Sequence, residues 1–256
     1  MRRLLLPVLL ACATQAHAEF KIPGYELVYT TPVETTLINA DLRDPVTVWS
    51  ELFDGAKKEI VIGQFYAVNR AGAPFAKVVE RLTEAGKRGV KIRFLLDKRG
   101  VNLSEAPTIE QLKAIPNLEL RIIDFDKVQS NGIIHAKYLA VDGRSAYLGS
   151  QNFDWRSFTH IQETGLHITD PAVVSQVQAI FEQDWKAQAA IVAGQAVPLA
   201  ERGLAPPAIS SPALLVSSPV AFNPPGVGNS EAVLPALLAE AKTEVRIQLM
   251  EYAPLS

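Results

Sequence analysis

Between residues 135 and 154 the chain reads HAKYLAVDGRSAYLGSQNFD. Asp142-Gly143 stands between two runs of β-formers, and such a pair marks a hairpin whose turn residues adopt positive φ. His135 and Lys137 lie two apart on the first strand of that hairpin, so they are expected on one face. Ser150 and Asn152 follow the returning strand and can approach the same patch. An imidazole, an ammonium, a hydroxyl and an amide gathered in this way suit a phosphate diester. Lys137 would neutralise the non-bridging oxygens, Ser150 and Asn152 would donate hydrogen bonds, and His135 would attack phosphorus or protonate a leaving group. No His/carboxylate cluster at metal-ligand spacing accompanies the set, so no metal or other cofactor is expected and the protein's own groups must carry the charge. Asp142 is accounted for by its turn and Gly149 by close approach of backbone, so both are expected to shape the site without touching substrate.

The elements that must position these groups are legible upstream. Asp44-Pro45 reads as a capped helix start leading into VTVWSELFDGAKK. EIVIGQFYAV (59–68) reads as a buried strand, PFAKVVERLTEAGKRG (74–89) as an amphipathic helix ending at glycine, and VKIRFLLD (90–97) as a strand. TIEQLKAI (108–115) and NLELRIID (117–124) supply one more helix and strand. ETGLHIT (163–169) is a further strand, and Asp170-Pro171 caps a long helix over 172–188. The order αβαβαβ followed by a hairpin predicts an α/β layered sheet with helices on both faces. His160 and His167 have no motif around them and are expected to be structural or surface groups. Trp155 and Trp185 read as core, and Lys87-Arg88 and Lys98-Arg99 as solvated charges.

The ends of the chain differ from its centre. Met1–Ala18 has a basic start (Arg2, Arg3), an apolar stretch and a small-x-small site after Ala18, which predicts a cleaved leader and a secreted or periplasmic protein. A lipoprotein reading through Cys12 is disfavoured, because Leu10 fits a lipobox poorly. Of 25 basic and 27 acidic residues, removal of the leader leaves 23 against 27 and takes away the one cysteine, which excludes thiol chemistry and disulfides from the mature chain. Hydrophobic residues make up 48% of the 256, a globular composition. Residues 188–229 are rich in Ala, Pro, Ser and Gly and read as a linker. LLAEAKTEVRI (237–247) then repeats LFDGAKKEIVI (52–62) without a gap, so 230–256 is expected to begin a second copy of the first domain, cut short.

His135-x-Lys137, four residues, Asp142, six residues and Gly149-Ser150-x-Asn152 resemble the HKD motif of the phospholipase D superfamily at every defining position. LGSQNFDWRSF (148–158) is similar to the subgroup of lysosomal phospholipase-D-like exonucleases and secreted bacterial phospholipase-D-like proteins. The resemblance covers roughly residues 40 to 187. It implies two α/β domains with one motif each, packed around a shared site, and a reaction through phosphohistidine without metal. It implies His135 as nucleophile, Lys137 and Asn152 as phosphate ligands, and Glu163, 28 residues after His135, as the group that holds the imidazole in one tautomer and raises its basicity. The sequence departs from the two-motif pattern by holding one His-x-Lys pair. The second half-site is expected from a missing C-terminal part of the chain or, as second choice, from a homodimer partner. Two substrates follow from a motif that reads only the diester: a phospholipid head group, and single-stranded nucleic acid. A third expectation, an inactive binding protein, holds if no second motif exists.

Overall fold

The computed structural model describes residues 21–36, 38–197, 199 and 213–247. The expected leader with Cys12, the middle of the expected linker and the last nine residues lie outside the described residues. In chain order the elements are β1 (Lys21–Ile22), β2 (Tyr25–Thr30), α1 (Pro45–Gly55), β3 (Glu59–Gln64), β4 (Ala67–Val68), α2 (Pro74–Lys87), β5 (Lys91–Asp97), α3 (Lys98–Val101), α4 (Ala106–Lys113) and β6 (Leu118–Ile123). There follow β7 (Lys137–Val141), β8 (Ser145–Gly149), β9 (Phe153–Asp154), β10 (Glu163–Ile168), α5 (Pro171–Val192), β11 (Val216–Ser217), β12 (Gly228–Asn229) and α6 (Ser230–Ala239).

Eight strands form one sheet in the order β1-β2-β10-β8-β7-β3-β5-β6. β3, β5 and β6 run parallel, and β7, β8, β10 and β2 continue it antiparallel. Side chains alternate between two cores, as strand geometry requires. Ile60, Ile62, Ile92, Phe94 and Leu139 pack with α1 and α2 on one face. Val61, Leu95, Tyr138 and Ala140 pack with Val174, Val177 and Phe181 of α5 on the other. Both Asp-Pro starts are real caps: Asp44 accepts from the Thr47 N–H at 2.9 Å and Asp170 from the Ala172 N–H at 2.9 Å.

Three expectations about elements change. The strand expected over 59–68 ends at Gln64, and Phe65-Tyr66 turn the chain before β4. The helix expected to stop at 188 runs on to Val192. The strand expected in the repeat is not formed over residues 244–247, although its helix, α6, is present. The cause is pairing: strand 59–64 is fixed by β5 and β7 on its two sides, whereas residues 241–247 have no described strand beside them.

The topology brings the carboxyl ends of the parallel strands β3 and β5 to the same sheet edge as the start of β7 and the end of β8. That edge is where open α/β sheets place ligands. Asp142 fastens the hairpin at the opposite edge of the sheet, where β3 begins. With φ +54° it makes the turn, and its carboxylate accepts the backbone N–H groups of Lys57, Lys58 and Glu59 at 2.8, 2.8 and 2.9 Å. Burial pushes this carboxyl up, but the three N–H donors outweigh it and hold its pKa below the usual value of 3.8. The aspartate of the motif is therefore a clasp between the α1–β3 junction and the hairpin. Asp142→Ala should lower the unfolding free energy at pH 7 by about 1–2 kcal/mol, the scale of a lost capping carboxylate. Because the folded pKa is depressed, this contribution is present above the unfolded value and lost as pH falls through the folded one. Urea midpoints of the two proteins should thus differ at pH 7 and converge as the pH is lowered through the folded-state pKa of Asp142; equal midpoints at pH 7 would contradict the clasp.

Candidate active site

β7 begins at Lys137, two positions later than a strand carrying both His135 and Lys137 requires. His135 therefore sits in the unpaired segment that enters the sheet, exposed, while Lys137 is 6% exposed. The two still converge. The His135 ring meets Phe65 edge-on at 4.9 Å between centroids, and the Lys137 ammonium lies 5.7 Å from the centre of the same ring. The ammonium also donates to the backbone carbonyl of His135. Burial pushes Lys137 down to about 8, with the charge of Glu163 opposing the shift. Burial and then the Lys137 charge lower His135 from 6.5, with Asp97 opposing. At neutral pH the arrangement presents a neutral imidazole beside a cation, which is what a nitrogen nucleophile and an oxyanion partner need.

Glu163 opens β10 at 8% exposure. Burial raises its pKa, while the Ser150 hydroxyl and the Lys137 charge pull it back. It acts on Lys137, whereas the charges acting on the imidazole are Lys137 and Asp97. The resemblance assigns Glu163 to His135; in this fold its charge also favours the ammonium of Lys137. Ser150 is exposed, yet its hydroxyl is engaged: it accepts the Thr164 N–H at 3.1 Å and donates to the Thr164 carbonyl at 3.2 Å, and the Ser150 N–H donates to that carbonyl at 2.9 Å. This extends the β8–β10 ladder by one residue. Gly149 makes that ladder possible. A Cβ there would lie 2.5 Å from Gln151 Oε1 and 2.8 Å from the Cα of Gly165, its partner on β10.

Asn152 is bracketed by residues that the sequence reading passed over. β9 pairs in parallel with β4, Ala67 opposite Phe153 and Val68 opposite Asp154. Fully buried Gln64 accepts the Phe153 N–H at 3.1 Å. Asp154, also fully buried, accepts from the Tyr66 hydroxyl at 2.7 Å and from Arg156 Nη2 at 2.6 Å. Between these fixed neighbours the Asn152 carboxamide oxygen is enclosed with no hydrogen-bond partner among the described residues. The available signal was positional: Phe65-Tyr66 end an apolar strand, and Asp154 lies two residues beyond Asn152 in the quoted stretch.

The residues expected to be bystanders have partners of their own. His160 pairs with Glu34 at 2.9 Å and His167 with Glu26 at 2.9 Å. Trp185 is buried and stacked on Phe181, whereas Trp155 is half-buried with the Arg70 guanidinium 4.0 Å above its ring. Lys98 and Arg99 are exposed and paired with Asp124 and Asp126.

Residues 50–185 match the family model described as cardiolipin synthase, PLD-like domain. The chain is 30% identical over 224 residues to a probable phospholipase D of Caenorhabditis elegans, which covers 80% of this chain and 40% of that protein. It is 30% identical over 171 residues to the 5'-3' exonuclease PLD3 of Rattus norvegicus, covering 62% of this chain and 34% of that one. The chain thus spans two fifths or less of these curated relatives. Its fold is like that of NucT from Helicobacter pylori, with a TM-score of 0.51 at 17% identity over 64% of this chain and 97% of that one. In lysine-selective NMR, Lys137 should titrate near pH 8, and Glu163→Gln should move it lower, since removing the carboxylate removes the charge that favours the ammonium. Titration above pH 10, or no response to Glu163→Gln, would contradict this electrostatic coupling.

Proposed function

Because this chain belongs to the phospholipase D superfamily, we propose that its sheet edge is one half of a phosphodiesterase centre working through phosphohistidine. The observation that carries the reading is the convergence of a neutral imidazole and a buried ammonium on one aromatic ring, Phe65. Lys137 draws the non-bridging oxygens of the diester to the patch, and the Asn152 amide fixes their orientation. A ring nitrogen of His135 then attacks phosphorus. The N–P bond forms as the P–O bond to the leaving alcohol breaks, and that oxygen keeps the electron pair and takes a proton from the acid of a second half-site. Water attacks the adduct from the vacated side, returning its proton to the group of the second half-site that protonated the alcohol; the N–P bond breaks with its electron pair left on nitrogen, and His135 returns as a neutral base. The second half-site comes from a further domain of the same polypeptide, of which 230–256 is the start, or from a homodimer partner.

The first substrate in this proposal is a phospholipid, cleaved at the head-group diester outside the cytoplasm after removal of the leader. Relatives named phospholipase D support it. A second reading, single-stranded nucleic acid, is favoured by the relative named an exonuclease and by the Arg70–Trp155 stack, a platform of the kind that holds unpaired bases. Incubation of the intact protein with phosphatidylcholine vesicles and with a labelled oligonucleotide separates the two. Choline release with an intact oligonucleotide is the expected result; shortened oligonucleotide without choline would replace the lipid reading by the nucleic-acid one. On whichever diester is cleaved, His135→Ala should lower kcat/KM by at least about 10,000-fold, the scale at which a covalent nucleophile acts. Near-normal turnover by that variant would remove His135 from the chemistry.

A further inference from the structure

Resting on the phosphodiesterase reading, we propose that Asp97 is a positioning residue that sets His135, through the backbone that carries the imidazole and through the ring that braces it. Asp97 ends β5 and is 1% exposed. A carboxylate is costly to bury unless its oxygens are satisfied. Among the described residues no lysine or arginine pairs with it; its partners are backbone donors. Oδ1 accepts the N–H groups of Arg99 and Gly100 at 2.7 and 3.1 Å, and thereby caps the single turn of α3. Capping that turn takes one oxygen. Oδ2 reaches across 37 residues to the Ile134 N–H at 2.8 Å, one residue before His135. Residues 132–136 form no strand pairing, so this bond fastens to the sheet a stretch that the ladder does not hold.

The second constraint runs through Gly100. A Cβ at that position would lie 1.8 Å from the carbonyl oxygen of Phe65, so the α3 turn and the Phe65 backbone are in direct contact. Phe65 in turn stands edge-on to the His135 ring. One carboxylate therefore fixes the backbone on one side of the imidazole and the turn against which its aromatic brace is docked. It also adds a negative charge near the ring that acts against Lys137. That charge matters most when a ring nitrogen bonds phosphorus and the imidazole takes on positive character.

Asp97→Asn keeps the volume but cannot accept at both oxygens. In the intact protein, kcat should fall about 100-fold with KM nearly unchanged, the loss expected when a reacting atom is misplaced by about 1 Å. The His135 imidazole, followed by NMR, should titrate at lower pH than in the parent, a change that a purely structural role in capping α3 would not produce. Parent-like kcat together with a parent-like imidazole titration would overturn the proposal. If instead the parent and His135→Ala cleave no diester, the phosphodiesterase reading fails, and the imidazole titration still decides whether Asp97 acts on His135. Should Asp97→Asn not fold, amide exchange in the parent decides: the Ile134 N–H should exchange at least about tenfold more slowly than those of Ile133 and Ala136. Equal rates would overturn the hold.

Discussion

An ammonium group removed from water is unstable unless something in the fold compensates it, and the sheet edge of this protein is organised around one such group. Lys137 sits at the first position of a central strand, where burial leaves it with a pKa of about 8. Three features make the position tolerable. The His135 carbonyl accepts from the ammonium, the charge of Glu163 favours its protonated form, and the Phe65 ring lies nearby. The same burial makes the group useful. In a low-dielectric setting a cation stabilises a developing phosphorane charge far better than it does in water. A lysine free in solvent would carry its charge more cheaply and contribute less.

That balance requires the strands around Lys137 to close tightly. Lys137 is paired with Gly149, and Gly149 with Gly165, so a band of three strands narrows where the site forms. Ser150 continues the same band through its contacts with Thr164. Asp142 fastens the far end of the hairpin to the start of β3. The residues of the motif thus divide by distance from the edge. Those at the turn and in the ladder hold geometry, and those at the mouth are the ones the proposed function assigns to the diester.

The sequence disclosed much of this because its signals were local. Asp-Pro caps, an Asp-Gly turn and apolar periodicity are short-range features, and the elements they mark lie where expected within a few residues. The motif also named the right neighbourhood, since His135, Lys137, Asn152 and Glu163 gather at one edge. What escaped were relations between distant segments. Asp97 reads as the polar end of a strand until Ile134 is seen across from it. Gln64, Tyr66 and Asp154 form a bracket only because β4 and β9 come together across 86 residues. Glu163 was assigned to the imidazole by resemblance, and its effect on the charge of Lys137 emerges only once β10 and β7 lie in one sheet.

The central claim is a covalent one, and it is tested most directly by stopping the intact protein during turnover of a phosphorus-labelled diester. Quenching in alkaline denaturant, where a phosphorus–nitrogen bond survives, and mapping the label by peptide mass spectrometry should place it on His135. Label found on another residue, or protein that turns over substrate without ever carrying label, would contradict the account.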